Sequence, residues 1–169
     1  SKELDKILEM NNKKYKCFIA NDNSNLQVVV SGLKKDSNFL SDDLNYKKIK
    51  NLKLNVSAPF HCKYMKTASE KMTSYINDLN MNELEKPIIS NVTANETSSS
   101  KEIKSLLISQ IEKKVRWLES IEYMINNGIK NFVEIGPGKV LSGLIKRIDK
   151  NVNVNSINSE EDIKLFIND

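Results

Sequence analysis

The stretch NFVEIGPGKVLSGLIKRI, residues 131–148, decides the fold class of this chain of 169 residues. Its beginning is typical of a β-strand, and a glycine loop then leads into apolar residues at helical spacing. Helices and strands are predicted to alternate around it: a helix over 62–79, a strand over 87–92, a helix capped by Ser98–Ser100, a helix over 117–126, a strand over 152–157 and a helix over 160–167. This alternation predicts a parallel sheet with helices packed on its faces.

The glycine loop itself allows two interpretations. A glycine loop between a strand and a helix is able to cradle a phosphate on free backbone N–H groups. The spacing of Gly136 and Gly138, however, matches neither GxGxxG nor GxxxxGK[ST], the patterns of nucleotide-binding loops. A tight turn, with glycine for unusual backbone angles and Pro137 near the first helical turn, is the simpler interpretation.

The first part of the chain has a different order of elements. A helix is predicted over 1–13, a helix over 36–46, and strands over Cys17–Ala20, Gln27–Gly32 and Ile49–Val56, with the turn-forming residues 21–25 as a linker. This αββαβ order is one strand short of a ferredoxin-like βαββαβ lobe, and the missing strand is expected upstream of Ser1. We therefore predict an incomplete ferredoxin-like small lobe over residues 1–56, with a boundary before residue 57.

Composition narrows the function classes. The net charge of +4, with 39% hydrophobic and 28% charged residues, is ordinary for a globular protein and gives no basic stripe for wrapping nucleic acid. Cys17 and Cys62 are too few for a zinc site, and their use suits a reducing compartment. No apolar run has membrane-spanning length, and the first residues do not form a signal peptide. A cytoplasmic location is expected.

His61 is the only histidine. It follows Pro59 at the predicted boundary between the two lobes, where clefts collect ligands. Imidazole is the side chain that most often moves protons near neutral pH, so His61 is a candidate general base. A structural or surface histidine is the alternative that the local sequence leaves open.

Four segments spread along nearly the whole chain carry a family resemblance: Asn23–Gly32, Val56–Lys66, Pro87–Val92 and Arg116–Leu144. Taken together at these spacings, they resemble the C-terminal part of the malonyl-CoA:acyl carrier protein transacylases of dissociated (type II) fatty-acid synthesis. The acyltransferase domains of polyketide synthases are relatives of that family. The resemblance implies that residues 57–169 are the C-terminal portion of a large α/β acyltransferase subdomain with an α/β-hydrolase-like parallel-sheet core.

The resemblance also implies a reaction. In this family a serine in a GHSxG elbow takes malonyl from coenzyme A and passes it to the phosphopantetheine thiol of the carrier protein. The family histidine matches His61, which would activate the serine and then the thiol, because an alcohol needs an adjacent base to become a good nucleophile. A backbone carbonyl orients that histidine, and the matching position is Gln110. No metal or bound cofactor is implied.

Substrate and partner positions follow from the same resemblance. Asn23 would lie near the acyl pocket, although by composition it is a turn residue. Phe60 resembles the form of the motif that selects malonyl over methylmalonyl. The carrier protein is acidic, so Lys50, Lys146 and Arg147 would lie on a basic rim that docks it.

The sequence also departs from the family. No G-x-S-x-G occurs in it, since Ser31-Gly32 and Ser142-Gly143 lack the preceding glycine of the elbow. Absent too are the family's glutamine loop and the arginine that pairs with the malonyl carboxylate. The chain is therefore expected to be the C-terminal half of the enzyme, inactive by itself. The alternatives are a non-catalytic remnant or binding module and, as more distant ones, an acyltransferase of polyketide type or a thiol hydrolase that uses Cys62 or Cys17 with His61.

Overall fold

The computed structural model describes residues 2–10 and 14–168. The helices are α1 (Lys2–Met10), α2 (Lys34–Tyr46), α3 (Lys66–Asp78), α4 (Ser100–Ser109), α5 (Trp117–Asn126), α6 (Val140–Ile148) and α7 (Glu160–Asn168). The strands are β1 (Cys17–Ser24), β2 (Gln27–Gly32), β3 (Ile88–Ile89), β4 (Glu96–Thr97), β5 (Asn131–Ile135) and β6 (Asn153–Ile157). The chain forms two compact units, Ser1–Trp117 and Leu118–Asp169. The predicted lobe boundary near residue 56 falls inside the first unit and stays a prediction, and part of the helix predicted over 1–13 lies outside the described residues.

In the first unit, β1 and β2 form an antiparallel hairpin. The predicted linker over 21–25 is wrong, because β1 continues to Ser24 and the turn between the strands is only Asn25–Leu26. The register shifts between Ile19 and Asn21 and again between Asp22 and Ser24. Such bulges admit polar residues that are otherwise poor strand formers, which is why this stretch reads as a loop in the sequence.

The hairpin packs on α1 and α2 through a compact apolar cluster. Its buried members are Leu8, Tyr15, Cys17, Ile19, Leu40 and Leu44. The approach of β1 to β2 is close at Gly32, where an added Cβ would lie 2.9 Å from Cys17 Sγ. Only glycine fits there, so this contact fixes the register of the two strands.

The predicted strand Ile49–Val56 is wrong. These residues have no regular secondary structure, and Leu52, Leu54 and Val56 are 84%, 55% and 62% exposed. Strand structure requires backbone hydrogen bonds to a neighbouring strand, and no strand of the described residues pairs with this segment. A groove of about 1350 Å³ is lined by 49–56 and by β2, whose second edge is also unpaired in the described part of the chain. The ferredoxin-like arrangement is thus not confirmed.

Beyond the segment 49–56, the first unit continues with a 3-10 turn, Lys63–Met65, and with α3 packed on α4. The strand predicted over 87–92 is reduced to the two residues of β3, which pair with β4, a strand that the sequence analysis missed. The chain turns after β3 because Ser90 N–H and Ala94 N–H donate within the 90–95 loop. The predicted serine cap is confirmed, since Ser99 Oγ accepts from Glu102 N–H at the start of α4.

The second unit contains the stretch that defines the fold class. Strands β5 and β6 are parallel, with α6 as their connection, so the predicted α/β pairing is confirmed for this pair. Gly136 and Gly138 have φ of +136° and +94°, a region that favours glycine. The Glu134 carboxylate accepts from Leu141 N–H (3.1 Å) and Ser142 N–H (2.7 Å) at the start of α6. Because an internal carboxylate occupies these amides, the tight-turn interpretation of the glycine loop is favoured over a phosphate cradle.

Candidate active site

His61 lies in a strained turn just before the 3-10 turn. Its φ is +59°, in the left-handed region that a residue with a Cβ adopts at a cost of about 1 kcal/mol. Neighbouring contacts hold the turn: Cys62 Sγ donates to Pro59 O (3.1 Å), and Met65 N–H donates to Cys62 O (2.9 Å). Backbone strain of this kind collects at functional sites and is a reason to examine the side chain that it aims.

The half-buried imidazole contacts the end of α4. Its Nδ1 lies 2.8 Å from the backbone carbonyl oxygen of Gln110. A carbonyl oxygen accepts hydrogen bonds and donates none, so Nδ1 carries the proton of the neutral ring. The lone pair is therefore on Nε2, the nitrogen that this contact leaves free to accept a proton.

Gln110 presents that carbonyl because of its place in the helix. It is the C-cap of α4, and the last carbonyls of a helix have no partner inside the helix. The Gln110 side chain is held too, since its Oε1 accepts from Asn91 Nδ2 at 3.3 Å. Ser69 Oγ, buried in α3, donates to Ile108 O at 3.4 Å. The end of α4 is thus anchored on two sides.

The loop that carries Asn91 is anchored in turn by the residue before α5. Arg116 N–H donates to Asn91 O at 2.9 Å, and the Arg116 guanidinium donates to Thr93 O at 2.8 Å. A guanidinium with several donors in a fixed plane suits a loop that offers successive carbonyls. The anchors of the histidine acceptor thus extend from α3 to residue 116.

Four of the predicted site residues line the groove beside β2: Asn23, Lys50, Phe60 and His61. Asn23 is half-buried at the end of β1, and Phe60 is 45% exposed. Gln110 lines a separate cavity of about 190 Å³ and reaches the site through its carbonyl oxygen. Asn23, Phe60 and His61 thus line one groove, and the His61 ring contacts Gln110, all within the first unit.

The other two predicted docking residues, Lys146 and Arg147, lie exposed on α6 in the second unit. The Lys146 ammonium donates to Val152 O at 2.6 Å and to Lys150 O at 3.3 Å. Lys146 therefore has a structural task at the end of its helix besides any role in docking.

The thiols do not fit nucleophilic chemistry. Cys17 and Cys62 are both free and buried, and burial raises the pKa of each thiol. A catalytic cysteine needs the opposite shift, because the thiolate is the nucleophile. Among residues 2–10 and 14–168, no cluster of His, Cys, Asp and Glu is arranged to hold a metal ion. None of the helices in the same residues is long and apolar enough to cross a membrane.

Two contributing residues were missed by the sequence analysis. Asn91 occurs in one of the segments that carry the family resemblance, but nothing in the sequence indicates that it donates a hydrogen bond to the Gln110 side chain. Ser31 Oγ donates to Phe60 O at 2.6 Å, although the sequence marks Ser31 only as part of an incomplete serine elbow. Both contacts join residues that are distant in the chain, so no local pattern signals them.

The chain is thus an α/β protein with a single imidazole that is oriented by a backbone carbonyl beside a groove. No family model matches the sequence. The chain is 40% identical over 148 residues to the malonyl CoA-acyl carrier protein transacylase of Staphylococcus aureus (strain MSSA476), covering 86% of this chain and 47% of that protein. It is therefore a relative of the malonyl CoA-acyl carrier protein transacylases, and it spans about half the length of the curated relatives it matches.

Solved structures give the same relationship. The crystal structure of acyl-carrier-protein S-malonyltransferase from Bartonella henselae matches with a TM-score of 0.93 and 35% identity, over 99% of this chain and 54% of that one. A malonyl-transacylase in complex with its type II polyketide-synthase acyl carrier protein matches with a TM-score of 0.91 and 29% identity, over 100% and 55% of the two chains. The resemblance expected from the sequence is confirmed.

Proposed function

We propose that this chain supplies the general base of a malonyl-CoA:acyl carrier protein transacylase of fatty-acid synthesis, with the nucleophilic serine contributed by polypeptide outside this sequence. The observation that carries the proposal is the 2.8 Å contact between His61 Nδ1 and Gln110 O. It fixes one ring nitrogen as the donor and leaves Nε2 as the base. The similarity to malonyl transacylases supplies the substrate class.

The base acts twice in the proposed reaction. In the first half, Nε2 takes the serine proton while the serine oxygen attacks the malonyl thioester, and the departing coenzyme A sulfur then receives that proton. In the second half, Nε2 takes the proton of the phosphopantetheine thiol, whose sulfur attacks the malonyl-serine ester. The serine oxygen recovers the proton when malonyl leaves it. His61 ends each cycle as it began, so no cofactor is consumed.

The Gln110 carbonyl suits a base that must switch roles. It is neutral, so it orients the ring and keeps the proton on Nδ1 without adding a carboxylate to the site. The anchors from Asn91 and Ser69 keep this acceptor in place. Gln110 is therefore a positioning residue that acts through its main chain.

We further propose that the groove beside β2 receives a strand from the rest of the protein. The unpaired edge of β2 forms one wall, and the segment 49–56 with its exposed apolar residues forms the other. One inserted strand would give both walls hydrogen-bond partners and cover Leu52 and Leu54. It would also complete the βαββαβ lobe over residues 1–56, with residues 57–169 in the larger α/β subdomain.

Substrate and partner contacts are proposed residue by residue. Asn23 and Phe60 line the groove beside His61 and are the proposed acyl contacts, with malonyl preferred because a ring at residue 60 leaves little space for an α-methyl group. The proposed partner is an acidic acyl carrier protein. Lys50 in the first unit, and Lys146 and Arg147 in the second, are each proposed as basic contacts for it, and no shared site between the two units is implied. The solved complex of a related malonyl-transacylase with its acyl carrier protein supports a partner of this kind.

A chimera tests the proposed function. This chain replaces the matching segment of the Staphylococcus aureus relative, and malonyl transfer from coenzyme A to acyl carrier protein is measured. The chimera should transfer malonyl, whereas His61→Ala should lower kcat by about a hundredfold to ten-thousandfold, the usual contribution of a general base. The isolated chain should be inactive, since it has no serine elbow.

Two outcomes would contradict the proposal. A folded chimera without transfer would favour a non-catalytic remnant. A His61→Ala chimera with unchanged kcat would show that His61 is not the base. Thr73→Val, a change in α3 that removes a hydroxyl bonded only within its own helix segment, to Ser69 O, is the matched control.

A further inference from the structure

Ser31 is neither the proposed base nor its hydrogen-bond acceptor, but it contacts the residue before His61. We infer that Ser31 is a positioning residue for His61: its hydroxyl holds the Phe60 carbonyl and, through that peptide, the left-handed backbone that aims the imidazole at Gln110. Ser31 Oγ donates to Phe60 O at 2.6 Å across 29 residues of sequence. The importance of Ser31 for catalysis rests on the proposed function, whereas its effect on the orientation of the His61 imidazole does not.

The Phe60–His61 peptide is the element that this bond controls. Rotation about the His61 N–Cα bond turns the peptide plane, so the direction of Phe60 O and the φ of His61 change together. At a φ of +59° the backbone is in a region that histidine does not favour. A fixed donor on Phe60 O opposes the rotation that would return His61 to a negative φ and withdraw the ring from Gln110 O.

The other contacts of the turn act on neighbouring peptides. Cys62 Sγ donates to Pro59 O, one peptide earlier, and Met65 N–H donates to Cys62 O, beyond the histidine. Both hold the ends of the turn and leave the orientation of the central peptide to the bond from Ser31. The three contacts together hold the turn in the conformation in which His61 has a positive φ.

The position of the Ser31 hydroxyl is itself fixed. Ser31 pairs with Phe18 across the hairpin, and the next residue, Gly32, is in close contact with Cys17. A one-residue slip of β2 would point Ser31 to the other face and push a side chain into Cys17. The hairpin thus delivers the donor to Phe60 O in a fixed place.

The test compares two replacements of the same shape, Ser31→Thr and Ser31→Val, which differ in the hydroxyl group. Both residues favour strands, so both variants should fold. Because His61 is the only histidine, the ¹⁵N chemical shifts of one imidazole report its tautomer without assignment. Ser31→Thr should keep the proton on Nδ1, whereas Ser31→Val should shift the tautomer ratio about fivefold to tenfold toward Nε2–H, the equivalent of one hydrogen bond.

The control is Thr73→Val, which removes a hydroxyl from α3 and should leave the tautomer unchanged. An unchanged tautomer in a folded Ser31→Val chain would overturn the inference, and so would an equal shift in Ser31→Thr. In the chimera, Ser31→Val should lower kcat about tenfold to a hundredfold with KM for malonyl-CoA retained, and Ser31→Thr should restore it. If His61→Ala leaves the chimera active, the proposed function fails, but the tautomer result still decides the role of Ser31.

Discussion

Two neighbouring parts of the first unit differ in how their polar groups are satisfied. The turn around His61 is held at three of its peptides, by Ser31, by the Cys62 thiol and by Met65 N–H, and its ring contacts Gln110. The groove between β2 and the segment 49–56 has an unpaired strand edge on one side and exposed apolar side chains on the other. The contacts that orient the His61 ring thus all lie within this chain, whereas the groove beside it is the place where we propose that a further strand inserts.

The largest expected effect is a difference in the free energy of unfolding between alanine variants in the apolar core and in the apolar wall of the groove. Leu40 is 3% exposed in the core below the hairpin, and Leu52 is 84% exposed. Leu40→Ala should lower the free energy of unfolding by about 2–5 kcal/mol, because it leaves a cavity. Leu52→Ala should change it by less than about 0.5 kcal/mol. Urea unfolding measures both, and equal losses would show that the groove is already closed.

The next largest expected effect is on amide hydrogen exchange in the two walls of the groove when a strand fills it. In the isolated chain, amides of 50–55 and those of residues 28–32 on the outer edge of β2 should exchange with solvent rapidly, because no strand pairs with them. In the chimera, an inserted strand should slow their exchange by about a hundredfold. Hydrogen exchange followed by mass spectrometry resolves the two segments. Equal exchange in the chain and the chimera would contradict the inserted strand, and α3 serves as an internal reference.

The thiols provide a smaller effect within the His61 turn. Since burial raises the pKa of Cys62, its native alkylation by iodoacetamide at neutral pH should be at least about tenfold slower than in urea. The stability from this thiol should be complete below its unfolded pKa of about 8.5 and be lost as the pH rises through the raised folded value. Deprotonation also removes the donor to Pro59 O.

Urea midpoints against pH, for the native chain and Cys62→Ala, measure this loss. The variant should show a flatter alkaline limb than the native chain. Native labelling as fast as unfolded labelling would contradict the expectation and revive the thiol-hydrolase alternative.

The smallest effect lies in the second unit and concerns the glycine loop. Hydrogen bonds from Ser142 and from Leu141 N–H lower the pKa of Glu134. The stability that this carboxylate provides is therefore present at neutral pH and is lost as the pH falls through its folded pKa. Glu134→Gln should flatten the acid limb of the Tm–pH profile. An unchanged acid limb in Glu134→Gln would mean that the loop amides are satisfied in another way.

Local patterns in the sequence sufficed for much of the fold. Strands β2 and β5 and helix α5 have the predicted bounds, because apolar periodicity and the glycine at position 128 are local signals. Local patterns could not decide whether 49–56 forms a strand. Its alternation of apolar and polar residues is typical of a strand, but strand structure also requires a pairing partner. The bulged end of β1 was missed because its composition is that of a turn.

The residues of the candidate site likewise fall into those that local sequence signals indicate and those that depend on long-range contacts. His61 could be singled out from the sequence because it is the only histidine and closely follows Pro59. Gln110 could be identified only through a family resemblance, because 49 residues separate it from His61. Ser31 and Asn91 act through tertiary hydrogen bonds that no spacing encodes. Their roles become visible only when the backbone of the turn and the end of α4 are placed together.

The most direct test of the oriented base is the tautomer of His61 in the unmodified chain. The ¹⁵N shifts of the single imidazole, recorded with the ring neutral, should show the proton on Nδ1 and a free lone pair on Nε2, as the Gln110 contact requires. A dominant Nε2–H tautomer would contradict it, because the nitrogen proposed to accept the serine proton would already carry one.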